Sequence, residues 1–554
     1  MPLLHTLHHH LLVPRDASSP TTAHLQRDTR PLPPSRRTYT PLSFVLLWLV
    51  TGSFNVSGWT TGSSLIALGL SVPQAMATVV AAHTFVGLVC VAGGAPGARW
   101  HVGFPFAQRA VWGVRGAWWP LANRVFLSFV WTATNTWYGG QCVRVVLCCV
   151  WPGFAGLDAT RLAGGTMGLA EFVGYLVFLV ACLPLMWVSP ERYRTPFLVA
   201  SGCVVPTVFV LLIWSMVRAG GGGALMADVS GVSGVVPAAE GGSARLGWMM
   251  MAGITANIGG VATHMFSQSD YTRYARKPGD QVLAQLIMVP LGTIVVSFIG
   301  MVCTSCAAQM YPDTTKLLWQ PYAFLDAVRT HEGTSSARAG VAFASIVFVF
   351  SQFGMTVASN AVVAGIDLAA VSPRYFTIRR GGYFTVILSL VMQPWQLLNS
   401  ASDFLTVVGG YSVFLGPFMG VMFADYYLVR RQNLKLTALY EMSDKSIYWF
   451  WKGVNWRCVI AWALGTWPLL PGFAEHVRNS DRVWPGWTHL YWMAWFVGCL
   501  VSGSIYVVLD WFWPMPFKTA VDEEDVFGTF TEIPEIQGVE RKVEIQENMF
   551  PEKV

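Results

Sequence analysis

Five positions or pairs set groups capable of specific chemistry inside otherwise apolar runs. In "FVWTATNTWYGGQCVRVV", Trp131 and Asn135 are four residues apart and share one face of a helix, with Gln141 beyond Gly139 and Gly140. A flat ring beside an amide one turn away can stack on a planar heterocycle and hydrogen-bond its edge; the same pair can also serve as interhelical glue and aromatic belt. "FSQFGMTVASNAVVAGIDLAAVSPRY" puts Asn360 and Asp367 seven apart, two turns along one face. Asn360 is the deeper and better placed to contact a ligand, whereas Asp367 lies nearer the helix end, within reach of interfacial water. In "VATHMFSQSDYTRYARK", His264 and Gln268 are four apart and Asp270 follows. An imidazole can relay protons near neutral pH, or simply be a hydrogen-bonded structural residue. "SASDFLTVVGGYSVFLGPFMGVMFADYYLVRR" carries Phe404, a candidate cover for a pocket or a lipid-facing ring, between Asp403 and Asp425 near opposite, solvated ends. No His/Asp pair or metal-ligand cluster suits catalysis, so neither an enzyme nor a metal centre is expected.

These groups must be carried by membrane helices. The chain has 554 residues, 53% hydrophobic and 12% charged, with a mean hydropathy of +0.47. A soluble protein of this size carries about twice that charged fraction. Windows such as "LAQLIMVPLGTIVVSFIGMVCTSCAA" are long enough to cross a hydrocarbon core of about 30 Å as helices, and "YLVFLVACLPLMWVSP" lies within another such apolar run. The hydropathy predicts an all-α polytopic membrane protein with twelve spans: 42–65, 73–93, 118–146, 168–188, 196–217, 246–267, 281–308, 339–366, 382–398, 402–429, 455–472 and 488–513. Residues 1–40, with "LHHHLLVPRD" and no apolar core, read as a disordered tail without a signal peptide. Residues 41–514 form the membrane domain, and the acidic 515–554 read as a second tail, with Lys518 and Lys542 as candidate ubiquitin acceptors for trafficking control. Loops after even-numbered spans collect the cations, among them Arg99, Arg109, Arg115, Arg273, Arg276, Lys277, Arg430 and Arg431. The opposite loops offset theirs with acids, so both termini are expected in the cytoplasm. The net charge of +6 reflects this asymmetry and not nucleic-acid binding.

An internal repeat organises the first ten spans. Asn55-Val56-Ser57-Gly58-Trp59 in span 1 and Asn257-Ile258-Gly259-Gly260-Val261 in span 6 share a pattern of Asn, β-branched, small, Gly, large apolar. Adjacent small residues weaken a helix in mid-span, and an Asn can satisfy the freed backbone, as in broken transporter helices whose ends face a central site. Repeat one covers about 42–217, repeat two about 246–429, and spans 11 and 12, about 455–513, lie outside. The Gly- and Ser-rich "RAGGGGALMADVSGVSGVVPAAEGGSARLG" between the halves reads as a flexible outer connection. "CTSC" in span 7 reads as small packing residues rather than a zinc or redox pair.

Together these stretches resemble the first nucleobase–cation symporter family in its fungal Fur-type branch, over about residues 27–520. The resemblance rests on "RPLPPSRRTY", "SFNVSGWTTGSS", "GFPFAQRAVWGVRG", "TWYGGQCV", "QSDYTRYARKPGD", "SNAVVAGIDLAAVSPRYFTIRRG", "PWQLLNSASDFLTVVGGYSVFLGP" and "FADYYLVRR", in that order. It implies a LeuT-like five-plus-five inverted repeat plus two helices, and cation-coupled uptake of a uracil- or allantoin-like heterocycle at the plasma membrane, with no cofactor beyond a co-transported proton. The family's substrate residues fall on Trp131, Asn135 (Gln in the family pattern) and Asn360, with the later acid on Asp367 and the gating aromatic on Phe404. Asp270 and Arg273, three apart and able to pair, fall on its inner-gate signature. Val261 stands where members often present an aromatic, and by repeat symmetry Trp59 could supply the missing ring. Sodium-coupled members use hydroxyls five and six residues before the span-8 Asn; Met355 and Gly354 stand there, which favours protons, loaded on Asp367 or His264. Thiamine or nicotinamide riboside carriage is the alternative within the family, and a non-transporting nutrient sensor the alternative outside it.

Overall fold

The computed structural model describes residues 30–51, 54–187, 194–232, 235–314, 316–372, 375–478 and 484–530. The amino-terminal histidines, Arg192, Arg374 and Lys542 lie outside the described residues. The described residues are mainly helical, with one two-residue hairpin, Arg161–Leu162 paired antiparallel with Met167–Gly168.

Six of the described helices are long and apolar enough to cross a bilayer, and they fall on predicted spans. Val72–Trp100, Ala284–Met310, Ser335–Val371, Ala401–Val429 and Ala494–Phe512 are each long and apolar enough to cross a bilayer unbroken, as is the part of span 5 from Gly202 to Ala219. Span 3, Trp118–Val150, is longer than any crossing requires but carries Arg124 and Arg144, which lower its hydropathy. Span 4 is Leu169–Leu185. Spans 9 and 11 are interrupted: Ile378–Leu388 is followed by the single turn Pro394–Leu397, and Trp456–Thr466 passes through Trp467–Leu469 into Leu470–Arg478.

The two broken spans define the centre. Span 1 splits into Pro41–Thr51 and Val56–Ser63, and span 6 into Gly242–Gly260, Ala262–Phe266 and Gln268–Thr272. The second half of span 1 packs on span 7, span 6 packs on spans 2 and 10, and spans 11 and 12 lean on span 10 from outside the repeat. Apolar side chains fill the seams, and the large Trp59, Phe324 and Phe348 are fully enclosed where span 1 meets the outer loop and span 8.

Three segments read as loose from composition are packed. Before span 1, Leu32 is buried, its amide donates to the His101 carbonyl at 3.1 Å, and Tyr39 lies against Tyr274. After span 12, Asp522 accepts from the Leu436 and Thr437 amides, and Phe527 and Phe530 rest on Tyr440 and Trp100. In the linker between the halves, Leu225 and Ala238 are buried and the Ala238 amide reaches the Gly69 carbonyl at 2.8 Å. Each segment holds a few apolar or capping residues whose burial composition averages hide.

Candidate functional site

The cavity begins with the break in span 1. Asn55 has extended backbone (φ −152°, ψ 177°), and its side chain accepts the Gly58 amide at 2.9 Å, so it caps the second half-helix. Span 6 breaks differently. Its helix ends at Gly260, Val261 leaves helical geometry, and the Asn257 amide turns back to the Gly253 carbonyl at 2.8 Å. Gly259 permits the close approach to span 10: an added Cβ would lie 1.9 Å from the Val408 carbonyl oxygen. Between the two breaks lies a cavity.

Six residues expected from the sequence reach its wall: Trp131, Asn135, Val261, His264, Asn360 and Phe404. The polar ones are held in set orientations. Asn135 Oδ1 accepts from Ser57 at 2.8 Å and Gln352 at 3.2 Å, while its Nδ2 donates to the Trp131 carbonyl. Asn360 sits on a π-helical stretch, Gly354–Ala361, and donates to the Met355 carbonyl at 2.7 Å, five residues back. Such a widened turn is frequent at functional sites. The Trp131 indole N–H is buried with no protein partner, as is Gln352 Oε1, so a donor and an acceptor remain unmatched beside the cavity. Phe404 packs at 5.5 Å against Trp319, and Ser63 ties the Trp319 carbonyl at 2.6 Å, which closes the outer side.

Trp59 does not join them. It is fully buried against Phe324 and Phe348, and its backbone carbonyl lies against Gly300. The expectation from repeat symmetry is therefore corrected. In span 1 the break comes before the motif, with Asn55 capping Val56–Ser63, whereas in span 6 it comes after it, at Val261, so matching sequence positions do not point the same way.

A second cluster closes the inner side. Arg124, in span 3, donates to both oxygens of Asp367, with Nε at 2.6 Å, and its Nη1 reaches Asp270 at 2.9 Å. The Phe104 amide takes the other Asp270 oxygen at 2.9 Å, and the Phe104 ring lies 4.1 Å from the guanidinium carbon. All three charged residues are buried. Asp367 is thus not at interfacial water but enclosed beneath the cavity, and Asp270 joins spans 3 and 8 rather than only its own neighbour. Arg273 turns to the Tyr274 hydroxyl at 3.1 Å. Its carbonyl accepts from Nδ1 of His101, whose imidazole burial pushes down to about 4, keeping it neutral. Asp425, expected in solvent, is likewise buried between Arg430 at 2.7 Å and the Tyr506 hydroxyl at 2.5 Å; Asp403 is exposed as expected.

Sequence reasoning missed Arg124, Gln352 and His83. The last is a buried imidazole in span 2 near Asn257; neither of its ring nitrogens nor the Asn257 Oδ1 has a hydrogen-bond partner among the described residues. The signal for Arg124 was present: a lone cation well inside a span has to meet an acid.

A ten-helix core with two broken spans, a central ring-and-amide cavity and separate closures on either side is the architecture of a secondary membrane carrier. The chain matches the family model described as permease for cytosine/purines, uracil, thiamine and allantoin over residues 31–498. It is 32% identical to the transporter aclS of Aspergillus oryzae across 91% of this chain and 89% of that one. It is 31% identical to the uridine permease of Saccharomyces cerevisiae (93% and 79%) and 29% identical to the thiamine transporter of the same yeast (91% and 82%). Among solved structures it resembles Mhp1, a nucleobase-cation-symport-1 family transporter, closed with bromovinylhydantoin bound, with a TM-score of 0.67, 18% identity and coverage of 88% and 95%. The inward-facing conformation of Mhp1 superposes equally well, at 0.68. The chain belongs to this family of permeases: it is a membrane transporter of the nucleobase–cation symporter type and not an enzyme.

Proposed function

We infer that the chain is a proton-coupled symporter that carries a neutral, flat, nucleobase-like heterocycle of the uracil or allantoin type into the cell. The observation that supports this most is the cavity wall itself: Trp131 offers a ring face and an unmatched N–H, Asn360, Asn135 and Asn257 offer amides, and no carboxylate lines it among the described residues. A cationic ligand such as thiamine or nicotinamide riboside calls for an acid at the site, because a buried charge needs a partner. Among the described residues the ionisable group in the lining is His264, a base that would repel a cation once protonated.

Coupling to protons is supported by two features. Met355 and Gly354 leave the span-8 position without hydroxyl ligands for sodium. Asp367 is enclosed where protonation would release Arg124 and loosen the inner closure. The bias of Lys and Arg supports cytoplasmic termini, and the transport role supports residence in the plasma membrane. Lys518 is half-exposed beside Asp510, which keeps it available to ubiquitin machinery.

Radiolabel uptake into transporter-null cells, with uracil, uridine, allantoin, cytosine and thiamine as competitors at two external pH values, tests the reading. A neutral heterocycle should compete and its uptake should rise in acid. Competition by thiamine alone, or uptake indifferent to pH but dependent on sodium, refutes it; no uptake of any member favours the sensor.

A further inference from the structure

We propose that the outer halves of spans 6, 10, 11 and 12 form a second binding site for the transported heterocycle, an antechamber loaded before the central cavity; this rests on the transport reading above. A separate cavity lies there, lined by Met249, Thr255, His476, Tyr491 and Trp492. Ala256 and Leu405 line both this cavity and the central one. These two side chains, one of them a methyl group, therefore face both volumes. Phe404, the ring that covers the central site, is the chain neighbour of Leu405, so a movement that lifts the cover also shifts the partition.

The chemistry of the lining suits the same class of ligand. The His476 and Tyr491 rings lie 5.3 Å apart at 42°, and the Trp492 indole adds a third aromatic surface, so a flat ring has faces to stack on. The ring nitrogens of His476 make no hydrogen bond among the described residues and are free to meet a ligand edge. The Tyr491 hydroxyl donates to the Thr406 carbonyl at 3.4 Å and the Thr255 hydroxyl to the Trp492 carbonyl, which leaves oxygen lone pairs to accept a ring N–H. Met249 and Leu405 supply the apolar remainder, and no carboxylate lines the wall among the described residues.

The site is also built rigidly. Trp248 stacks face to face on His489 at 4.0 Å and 2°, which fixes helix Pro485–Trp492 against span 6. An added Cβ at Gly409 would meet the Tyr491 hydroxyl at 2.9 Å, so span 10 keeps a glycine where the tyrosine lies across it. Spans 11 and 12 stand outside the inverted repeat, and this cavity is where they contribute side chains to the path of a ligand.

The test is equilibrium binding of whichever radiolabelled heterocycle the uptake panel identifies, to the purified full chain in lipid nanodiscs. Wild type should saturate at about two molecules per chain. Met249→Trp, which fills the outer cavity, should saturate at about one and raise the uptake KM several-fold, and His476→Ala should weaken only the outer site. Asn360→Ala should lose the central site and keep the outer one. Saturation of wild type at one per chain, or a Met249→Trp variant that still binds two, overturns the proposal. If the panel contains nothing that is carried, the transport reading itself fails, and this site fails with it.

Discussion

A charged residue in a hydrocarbon slab is worth asking about before any other, and here the informative one is Arg124. An isolated guanidinium at that depth costs several kcal/mol, and breaking a buried pair costs about 3–5 kcal/mol because it strands the remaining charge. The three-way pair with Asp270 and Asp367 was invisible to local spacing, since the partners are 146 and 243 residues away. Trp131, Asn135 and Asn360 were legible for the opposite reason: each is an exception within its own apolar helix, and helical periodicity tells which exceptions share a face. Trp59 shows where that logic stops, because side-chain direction past a helix break depends on how the break is capped. Under the proton-coupled reading, Asp367→Asn should abolish acid-driven accumulation while leaving exchange of labelled for unlabelled substrate, the uncharged amide still meeting Arg124. Accumulation ratios that track external pH as in wild type rule out Asp367 as the proton carrier.

At the scale of the element, the breaks matter more than the rods. The glycines of span 6 and the Asn55 cap of span 1 were readable as weak points, because small residues and an amide in mid-span have no other use in a membrane helix. The π-helical stretch before Asn360 was not readable, since nothing in "GMTVASNA" distinguishes it from regular helix. It arises where Asn360 takes the Met355 carbonyl as acceptor and span 8 must fit span 3. Asn55 supports its half-helix through one hydrogen bond, so Asn55→Ala should cost about 1 kcal/mol of stability, the ordinary value of a lost cap. Asn55→Asp should retain most of it. Thermal unfolding of the purified variants in detergent distinguishes the two, and equal melting points for alanine and wild type remove the cap from the account.

The whole molecule is held shut twice. Below the cavity the Arg124 cluster joins spans 3, 6 and 8; above it Arg144 joins the outer end of span 3 to Asp158 in the short helix Pro152–Ala159 and to Asp326, at 2.9 Å, in helix Pro321–Glu332. That helix carries Phe324 and follows Trp319, so Arg144 holds down the lid that packs on Phe404. Arg144→Ala should free the lid and bias the carrier toward opening outward. A cysteine placed at Thr61 in the cavity wall should then react several-fold faster with an external, membrane-impermeant maleimide. No change in labelling rate would show that the lid is held by its aromatic packing alone.

The packed stretch after span 12 has a practical corollary. Asp522 caps the turn at Leu436 while Phe527 and Phe530 roof over Tyr440 and Trp100, so the polypeptide up to residue 530 is masonry of the folded body rather than a dangling end. An expression vector cut back to the last membrane helix would strip those aromatics bare and invite aggregation. A reporter or purification handle is better grafted beyond that stretch.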